Sequence, residues 1–254
     1  MRVSHIPLQK GIIYGPVSSK RLGRSLGINL LPRGQKVCTF NCVYCFYGKT
    51  ISVDSSDFPS PSQVVEALEN SLNRVGEIDY ITFAGNGEPT LHPCFDEVVS
   101  AVVEVRNKFR PKIPLALLSN ASRTAEERVR RALKMLDLPV LKLDSGDEET
   151  FEKINRPLIP LKVSEIIENL SQLKGEIKKL VVQTVAVCGA LTNTQDKCVT
   201  KWIHALKKID PYQVQLYTLD NPFDSLNITP CPFSSLERIV ALARKEAIPV
   251  TLYI

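Results

Sequence analysis

Three cysteines stand close together early in the chain, at a spacing that suits an iron–sulfur cluster. Cys38, Cys42 and Cys45 follow the pattern C-x3-C-x2-C, and Tyr44 directly precedes the last of them. A [4Fe–4S] cluster is normally held by four thiolates, so a loop that offers three leaves one iron without a protein ligand. That iron could bind a small chelating molecule, as the open position of a catalytic metal binds substrate. The ring of Tyr44 would lie beside such a site and suits a purine or a similar base.

Two other interpretations of this loop remain open. A zinc site usually has paired C-x2-C units and a fourth ligand nearby, whereas the histidines of the chain, His5, His92 and His204, lie outside the loop. The three cysteines could also be ordinary buried residues, which are common in protein cores. Of the three interpretations, the spacing favours cluster binding.

The composition is that of a globular protein, long enough for one barrel or two small domains. The 254 residues are 44% hydrophobic and 23% charged. Residues 1–5 contain no apolar segment typical of a signal peptide, and no run reaches the length of a membrane span. We therefore expect a cytoplasmic protein with no membrane segment. Seven cysteines in such a chain indicate metal ligands or free thiols rather than disulfides.

The charge balance is mildly basic. A net charge of +5 suits an anionic partner, such as nucleic acid or a phosphorylated small molecule. An exposed surface with a few extra lysines explains the same balance and is the simpler explanation.

Short apolar segments alternate with helical segments over most of the chain. Apolar strands between helices of about ten to fifteen residues indicate βαβ units and a parallel sheet. Six such units and a closing strand predict an α/β fold, a partial (β/α)6 TIM-like barrel, since a complete barrel would need about two more units. A doubly wound sheet is the alternative, but no G-x-G-x-x-G follows the first strand. The expected strands are 26–31, 80–84, 115–118, 140–143, 180–187, 214–219 and 249–254.

We expect one domain over residues 1–254, because no domain-sized linker, repeat or low-complexity tract interrupts the pattern. Residues 1–25 contain several glycines and a proline and are expected to form a loop segment. Residues 249–254 are expected to form the strand that closes the sheet.

Sites in parallel α/β folds form at the C-terminal ends of the strands. After the second expected strand comes the segment Gly85-Asn86-Gly87-Glu88-Pro89-Thr90. Its glycines let a ligand approach the backbone, and Glu88 and the loop carbonyls could accept hydrogen bonds from an ammonium group. By itself, the segment is equally compatible with an ordinary turn. Ser119 and Asn120 follow the third strand, where they could contact a ligand or form an Asx turn.

The later strands also carry polar residues. Lys142 and Asp144 are two residues apart and therefore share one face of a strand. We expect them to contact a ligand, with a purely structural ion pair as the alternative. Gln183 is the polar candidate on the fifth strand. Gln215 and Tyr217 on the sixth strand could contact adenine or substrate, or could simply fill the barrel.

Taken in order, these segments resemble the radical S-adenosylmethionine (SAM) superfamily. C-x3-C-x-aromatic-C is similar to its cluster motif, and Gly87-Glu88-Pro89 is similar to its GGE element. As a set, the segments are similar to a mostly uncharacterised group commonly classed near the wyosine-tRNA synthetases. Asn221 before Pro222 departs from the Arg expected in this group, which puts in doubt an anion contact from that loop. The other matching segments are 14–17, 22–27, 81–93, 118–120, 142–151, 154–157 and 215–220.

The resemblance implies a [4Fe–4S] cluster and SAM as cofactors, and an electron donor such as flavodoxin or ferredoxin. In that family, SAM chelates the open iron, and one electron from the cluster cleaves it to methionine and a 5′-deoxyadenosyl radical that abstracts a hydrogen atom. The resemblance assigns the cluster to Cys38, Cys42 and Cys45. It assigns the methionine end of SAM to Gly87, Glu88 and Pro89, and the adenine to Tyr44. Lys142, Asp144 and Gln183 are expected to contact ribose, carboxylate or substrate. The remaining expected cofactor-binding residues are Asn86, Ser119, Asn120 and Tyr217.

The substrate is less well defined by the sequence. Modification of an RNA base, above all in tRNA, is the first expectation, from the neighbours of the group and the basic balance. Modification of a peptide or of a partner enzyme is the second. A non-enzymatic iron–sulfur protein for electron transfer or redox sensing is the alternative from another class, and a zinc-stabilised nucleic-acid-binding barrel is a third.

Four further cysteines, Cys94, Cys188, Cys198 and Cys231, all lie beyond the expected strand ends. Four thiols could bind a second cluster. Their spacings are wide and include no C-x2-C pair, so isolated cysteines are the favoured interpretation.

Overall fold

The computed structural model of the protein describes residues 5–221 and 227–254. One curled sheet of eight strands carries the fold, and a short two-stranded ladder lies beside it. The strands of the main sheet are β1 (Ile13–Ser19), β2 (Gly23–Ile28), β3 (Tyr80–Phe83), β4 (Leu115–Ser119), β5 (Leu138–Lys142), β6 (Val181–Ala186), β8 (Gln213–Thr218) and β10 (Val250–Tyr253). The ladder consists of β7 (Cys188–Gly189) and β9 (Ile228–Thr229).

Helices follow the strands and cover the outer face of the sheet. The first of them begins as the sequence predicts, with a capping box between Ser60 and Gln63 and a proline in its first turn. Its buried residues Val64, Leu68 and Leu72 recur every four positions, so they form one apolar stripe. The helices are α1 (Pro61–Leu72), α2 (Phe95–Phe109), α3 (Glu127–Met135), α4 (Glu148–Ile154), α5 (Val163–Gln172), α6 (Asp196–Ile209) and α7 (Phe233–Lys245), with a 3-10 turn at Pro89–Leu91.

The strand order confirms the predicted half-barrel. The sheet runs β1-β2-β3-β4-β5-β6-β8-β10, and every pair from β2 onward is parallel. Seven parallel strands correspond to six βα units and a closing strand. The strands follow one another in chain order without the reversal of a doubly wound sheet, and β1 and β10 remain as edges, so the sheet is an open half-barrel.

The N-terminal segment differs from its prediction. Residues 13–19 form β1 rather than a loop, and β1 pairs antiparallel with β2. The ring of Tyr14 lies over Gly27 so closely that a Cβ there would overlap it. This packing of an aromatic ring on a bare glycine stabilises a strand whose own sequence shows no alternation of polar and apolar residues.

The prediction that the cysteines form no disulfide is also wrong. Cys188 and Cys231 are joined, with their Cα atoms 5.1 Å apart. The β7–β9 ladder pairs Cys188 with Thr229 and so brings the two cysteines together. A separation of 43 residues conceals this pairing from spacing rules.

Among the residues that the structure describes, no helix combines the length and the apolar character needed to cross a membrane.

Candidate active site

One cavity at the C-terminal ends of the strands collects most of the residues singled out in the sequence. Its volume is about 330 Å³, and all three cysteines of the C-x3-C-x2-C loop line it. Four expected cofactor residues, Asn86, Glu88, Pro89 and Asp144, are not part of its lining. The expected residues that do line it are Cys38, Cys42, Tyr44, Cys45, Gly87, Ser119, Asn120, Lys142, Gln183 and Tyr217.

The three thiols of the loop are free and face this one cavity. Cys38 is buried, whereas Cys42 and Cys45 are partly exposed. Burial raises the pKa of the Cys38 thiol well above its usual range, and burial likewise raises the pKa of Cys42 to about 11. These two thiols are therefore protonated in the metal-free chain at neutral pH, and a bound metal would displace their protons.

The arrangement fits a cluster better than a single metal ion. Within residues 5–221 and 227–254, no group of three His, Cys, Asp or Glu side chains is placed to hold one ion. A [4Fe–4S] cluster gives each thiolate its own iron, so its ligands need not converge on one point. Free thiols around one cavity, with Gly85 and Gly87 in its wall, therefore suit a cluster.

Nitrogen donors point at two of the three sulfurs. The side-chain amide of Asn120 lies 3.5 Å from Cys38 Sγ, and the backbone N–H of Phe40 lies at the same distance. The side-chain amide of Asn155 lies 3.6 Å from Cys42 Sγ. Hydrogen bonds to cluster sulfurs tune the reduction potential, so these donors are suited to control a bound cluster.

The cysteine loop is fixed by the turn that follows α4. The backbone N–H of Val43 donates to Ile154, and that of Asn41 donates to Asn155. In the opposite direction, the N–H of Leu158 donates to the carbonyl of Thr39. Sequence reasoning included residues 154–157 in the family resemblance but gave them no role, because backbone hydrogen bonds can be made by almost any residue type.

Asp144 is the centre of a buried network under this loop. Its carboxylate accepts hydrogen bonds from the Tyr44 hydroxyl, from Asn155 Nδ2 at 2.6 Å and from the N–H of Val185 at 2.8 Å. Asp144 is thus held by contacts to the protein, and its ligand contact stays a prediction. Its carboxylate holds the tyrosine of the cysteine loop and orients the ring along the cavity wall.

Lys142 reaches the cavity, as predicted. Its Nζ lies 4.0 Å from Asp144 Oδ1 and 5.0 Å from the centre of the Tyr44 ring, and 16% of its side chain is exposed. Burial is the largest single influence on the pKa of Lys142 and lowers it. Asp144, together with smaller contributions from Tyr217 and Cys42, outweighs burial, so that the pKa is raised. Lys142 therefore presents a positive charge to whatever fills the cavity.

Glu88 is fully engaged by its neighbours. Its carboxylate accepts hydrogen bonds from Thr90, from Ser119 Oγ at 2.8 Å and from the N–H of Asn120 at 2.6 Å. Burial raises the pKa of Glu88, and these hydrogen bonds oppose that shift. The side chain expected to bind an ammonium group instead joins the loop after β3 to the end of β4, and so places Ser119 and Asn120 in the cavity wall.

Asn86 and Pro89 are also directed into the protein. The Asn86 amide bonds to both backbone groups of Gln9 and to the carbonyl of Pro32, at 2.7–3.1 Å. Pro89 is buried at the start of the 3-10 turn. Both residues therefore shape the loop around Gly87 rather than extend into the cavity.

At Gly87, the backbone of this loop lies in close contact with the segment that precedes the cysteine loop. Its backbone lies beside Val37, whose N–H donates to the carbonyl of Asn86 and whose carbonyl accepts from the N–H of Glu88. A Cβ at Gly87 would overlap the Val37 carbonyl oxygen. Its φ of +140° is a conformation that side chains disfavour.

We expect Gly87→Ala to lower the free energy of unfolding by about 2 kcal/mol, through strain and overlap. The overlap also displaces Val37, which precedes Cys38. Urea denaturation of the metal-free chain measures the loss. Gly76→Ala is the matched control, since an added Cβ there meets nothing within 4 Å. Equal stability of the two variants would contradict this role of Gly87.

Gln183 and Tyr217 meet in the cavity wall. The Tyr217 hydroxyl lies 3.4 Å from Gln183 Oε1. Within the described chain, the buried Gln183 Nε2 has no hydrogen-bond partner. This donor is thus available to a ligand, and the ligand contact of Gln183 stays a prediction.

Lys36 is a cavity residue that sequence reasoning missed. It is buried, and its Nζ donates to the carbonyl of Gly48 at 2.8 Å. Phe46, Tyr47 and Leu118 also line the cavity. The sequence offered one signal for these residues, which is that Lys36, Phe46 and Tyr47 lie near the cysteine motif. That signal does not distinguish residues that line the cavity from residues on the surface.

The four remaining cysteines do not assemble a second site. Cys188 and Cys231 are bonded to each other. Cys94 precedes α2 as its N-cap, and Cys198 lies on α6 with its sulfur 3.4 Å from the Thr150 hydroxyl. The interpretation of four isolated cysteines therefore holds for Cys94 and Cys198 and is wrong for the bonded pair.

Comparison with known proteins agrees with the fold and the cysteine motif. Residues 34–190 match the family model described as the radical SAM superfamily. The UPF0026 protein MJ1312 of Methanocaldococcus jannaschii is 33% identical over 235 residues, which cover 91% of this chain and 70% of that protein.

Solved structures share the fold at low sequence identity. A radical SAM methyltransferase from Sphaerobacter thermophilus superposes with a TM-score of 0.68 at 14% identity, covering 90% of this chain and 65% of that one. SuiB of Streptococcus suis, bound to S-adenosylmethionine, superposes with a TM-score of 0.65 at 13% identity, covering 87% of this chain and 49% of that one. SuiB has also been solved with its precursor peptide SuiA. This chain therefore spans about half the length of SuiB.

The family match covers more than half of the chain, and the sequence relative extends over nearly all of it. Members of this family are enzymes that bind a [4Fe–4S] cluster and SAM. The chain belongs to the radical SAM superfamily.

Proposed function

We propose that Cys38, Cys42 and Cys45 hold the [4Fe–4S] cluster and that the cavity beside them binds SAM. The observation that carries the proposal is that all three free thiols line one cavity together with polar side chains on or directly after β4, β5 and β6. When bound, the two cofactors supply reductive cleavage of SAM and a 5′-deoxyadenosyl radical that abstracts a hydrogen atom from the substrate.

Different side chains of the cavity suit different parts of SAM. Lys142 supplies a positive charge that suits a carboxylate. Ser119, Asn120 and Gln183 supply hydroxyl and amide groups that suit a ribose or a substrate. Tyr44, whose hydroxyl is held by Asp144, supplies a fixed ring that suits an adenine. Side chains that the protein already holds in place need little reorganisation when the ligand binds.

We propose a small one-electron carrier, such as flavodoxin or ferredoxin, as the electron donor, because each reductive cleavage consumes one electron. The net charge of +5 favours an acidic partner.

For the substrate, we propose a base in tRNA first and a peptide or partner enzyme second. The basic balance supports RNA, and the grouping near the wyosine-tRNA synthetases stays a prediction. The peptide alternative is supported by SuiB, a fold neighbour that was solved with a precursor peptide. Copurifying tRNA whose binding falls steeply with salt is expected for the first, and binding that does not depend on salt contradicts it.

The test of the proposed function uses anaerobically reconstituted protein reduced with dithionite. Its EPR spectrum is recorded with and without SAM, and the same sample is assayed for 5′-deoxyadenosine. We expect a cluster signal that changes when SAM is added, together with release of 5′-deoxyadenosine. A cluster signal that is indifferent to SAM, with no cleavage, would contradict the proposal. Zinc without iron or sulfide would contradict cluster binding itself.

The contact from Asn120 to Cys38 predicts a change in reduction potential. We expect Asn120→Ala to shift the cluster potential by about 20–60 mV in the negative direction, since losing one hydrogen bond of about 0.5–1.5 kcal/mol disfavours the more negative, reduced cluster. An EPR-monitored redox titration measures the shift.

Ser122→Ala is the matched control for this variant. Ser122 and Asn120 both contact the Thr39 hydroxyl, at 2.7 and 2.8 Å, and only the Asn120 amide is also within hydrogen-bond distance of Cys38 Sγ. Equal shifts in the two variants would show that the Thr39 contact, and not the sulfur contact, sets the potential.

A further inference from the structure

A second, larger cavity adjoins the site on the inner face of the open sheet. Its volume is about 720 Å³, and Tyr14, Tyr47 and Tyr217 are among the residues that line both cavities. Val17 on the edge strand β1 and Tyr253 on the edge strand β10 belong to its wall. Residues near both ends of the described chain, Ile6 and Ile254, line it as well. A substrate placed here would lie directly beside the SAM cavity.

The turn between β1 and β2 delivers an arginine into this cavity. The Ser19 hydroxyl accepts hydrogen bonds from the backbone N–H groups of Arg21 and Leu22, both at 3.2 Å, and so fixes the turn. The Arg21 guanidinium then lies over the Tyr217 ring, 4.5 Å from its centre. Residues 13–28, which form this hairpin, precede the matched family region, so the arginine comes from outside the shared core.

Arg21 has a buried donor that the protein does not use. In the described chain, its Nη1 is buried and has no hydrogen-bond partner. A buried donor left without a partner costs free energy, and a guanidinium stacked on a ring keeps its N–H edge free for a planar acceptor.

A second unused donor lies in the wall of the smaller cavity, near the hydroxyl of the same tyrosine. Gln183 Nε2 is buried without a partner in the described structure, and Gln183 Oε1 is the atom that Tyr217 contacts. Two donors connected through Tyr217, one of them on a cation, complement an acceptor with two oxygens.

The charges around the two cavities are unbalanced. Lys20 is paired with Asp220 at 3.8 Å, and Lys142 is paired with Asp144 at 4.0 Å. Arg21 is in none of the ion pairs found among residues 5–221 and 227–254, and its charge disfavours the protonated form of Lys142. An oxyanion between the strand ends would relieve this repulsion.

We propose that Arg21 and Gln183 bind a carboxylate or phosphate group of the substrate, which lies in the larger cavity with that group against Tyr217. This inference rests on the proposed function for its context, because it identifies the adjoining cavity as the substrate site. In this proposal, the hairpin that precedes the matched family region recognises an anionic substrate.

The test is ligand-observed NMR on anaerobically reconstituted protein without SAM. Inorganic phosphate and pyruvate are titrated separately, at constant ionic strength, into the wild type, Arg21→Gln and Arg24→Gln. Arg24 lies on the same hairpin but is exposed and paired with Asp79 and Glu77, so its variant removes the same charge outside the cavity. We expect saturable binding of one anion that Arg21→Gln weakens at least about tenfold and that Arg24→Gln retains.

The outcomes separate the sources of the anion and the two proposals. Binding of phosphate alone indicates a phosphorylated substrate, and binding of pyruvate alone indicates a carboxylate. No saturable binding by the wild type, or equal weakening in both arginine variants, would overturn the proposal. If Arg21→Gln fails to fold, Gln183→Met, which removes the second donor, carries the same test. Anion binding without release of 5′-deoxyadenosine would contradict the proposed function only, and release without anion binding would contradict this inference only.

Discussion

Replacing Cys42 with alanine is expected to remove the [4Fe–4S] cluster and to reduce the release of 5′-deoxyadenosine at least about a hundredfold, to the background of the assay. Cys42 is partly exposed to the cavity, and two remaining thiolates leave two irons without a protein ligand. Iron and sulfide analysis of the reconstituted variant measures cluster loss, and chromatography of the reaction measures cleavage.

Cys198→Ala is the matched control for this prediction. Cys198 is also a free, partly exposed cysteine, but it lies on α6, away from the cavity lining. We expect full iron content and unchanged cleavage in this variant. If Cys42→Ala retained four irons per chain and cleaved SAM, the cluster would have to be assigned to other ligands.

Replacing Asp144 with asparagine is expected to lower the free energy of unfolding by about 3–5 kcal/mol. The carboxylate accepts from Tyr44, Asn155 and Val185, and it balances the charge of Lys142. An amide can supply one acceptor oxygen, but its NH₂ group would face donors, and the buried lysine would lose its counter-charge. Chemical denaturation of the metal-free chain measures the effect.

Two further variants test the cause of this destabilisation. Asp196→Asn removes a carboxylate whose ion pair with Arg238 is exposed, and it should change stability little. Adding Lys142→Met to Asp144→Asn removes the unbalanced lysine, so the double variant should regain part of the lost stability. A double variant less stable than Asp144→Asn would show that the charge of Lys142 is not the cause.

The parallel sheet could be predicted because its strands are buried on both faces. Residues 115–118, for example, appear in the sequence as a continuous apolar run and are almost entirely buried. The edge strand β1 could not be predicted in this way, because most of its residues are exposed and its packing depends on the ring of Tyr14 meeting Gly27. That contact joins two segments whose pairing no local pattern reveals.

The cysteine site could be predicted in part from residue type and position. Residue type and position at strand ends identified Ser119, Asn120, Lys142 and Gln183, which do line the cavity. The same reasoning also selected Glu88, whose carboxylate accepts hydrogen bonds from Ser119 and Asn120 and does not line the cavity. A carboxylate near a ligand site and one that supports the wall look alike in a sequence, since only the backbone direction of the loop distinguishes them.

The open sheet also determines where the molecule unfolds locally. Strand β10 is held to the sheet by one neighbour, through four residue pairs with β8, and β1 is held by β2 across an irregular register. Edge strands with one partner open at lower free energy than central strands do. Their amides should exchange with solvent hydrogen before those of β4 and β5. Residues of both edge strands line the larger cavity, so the space that we propose for a substrate is also the region where we expect native-state fluctuations to begin.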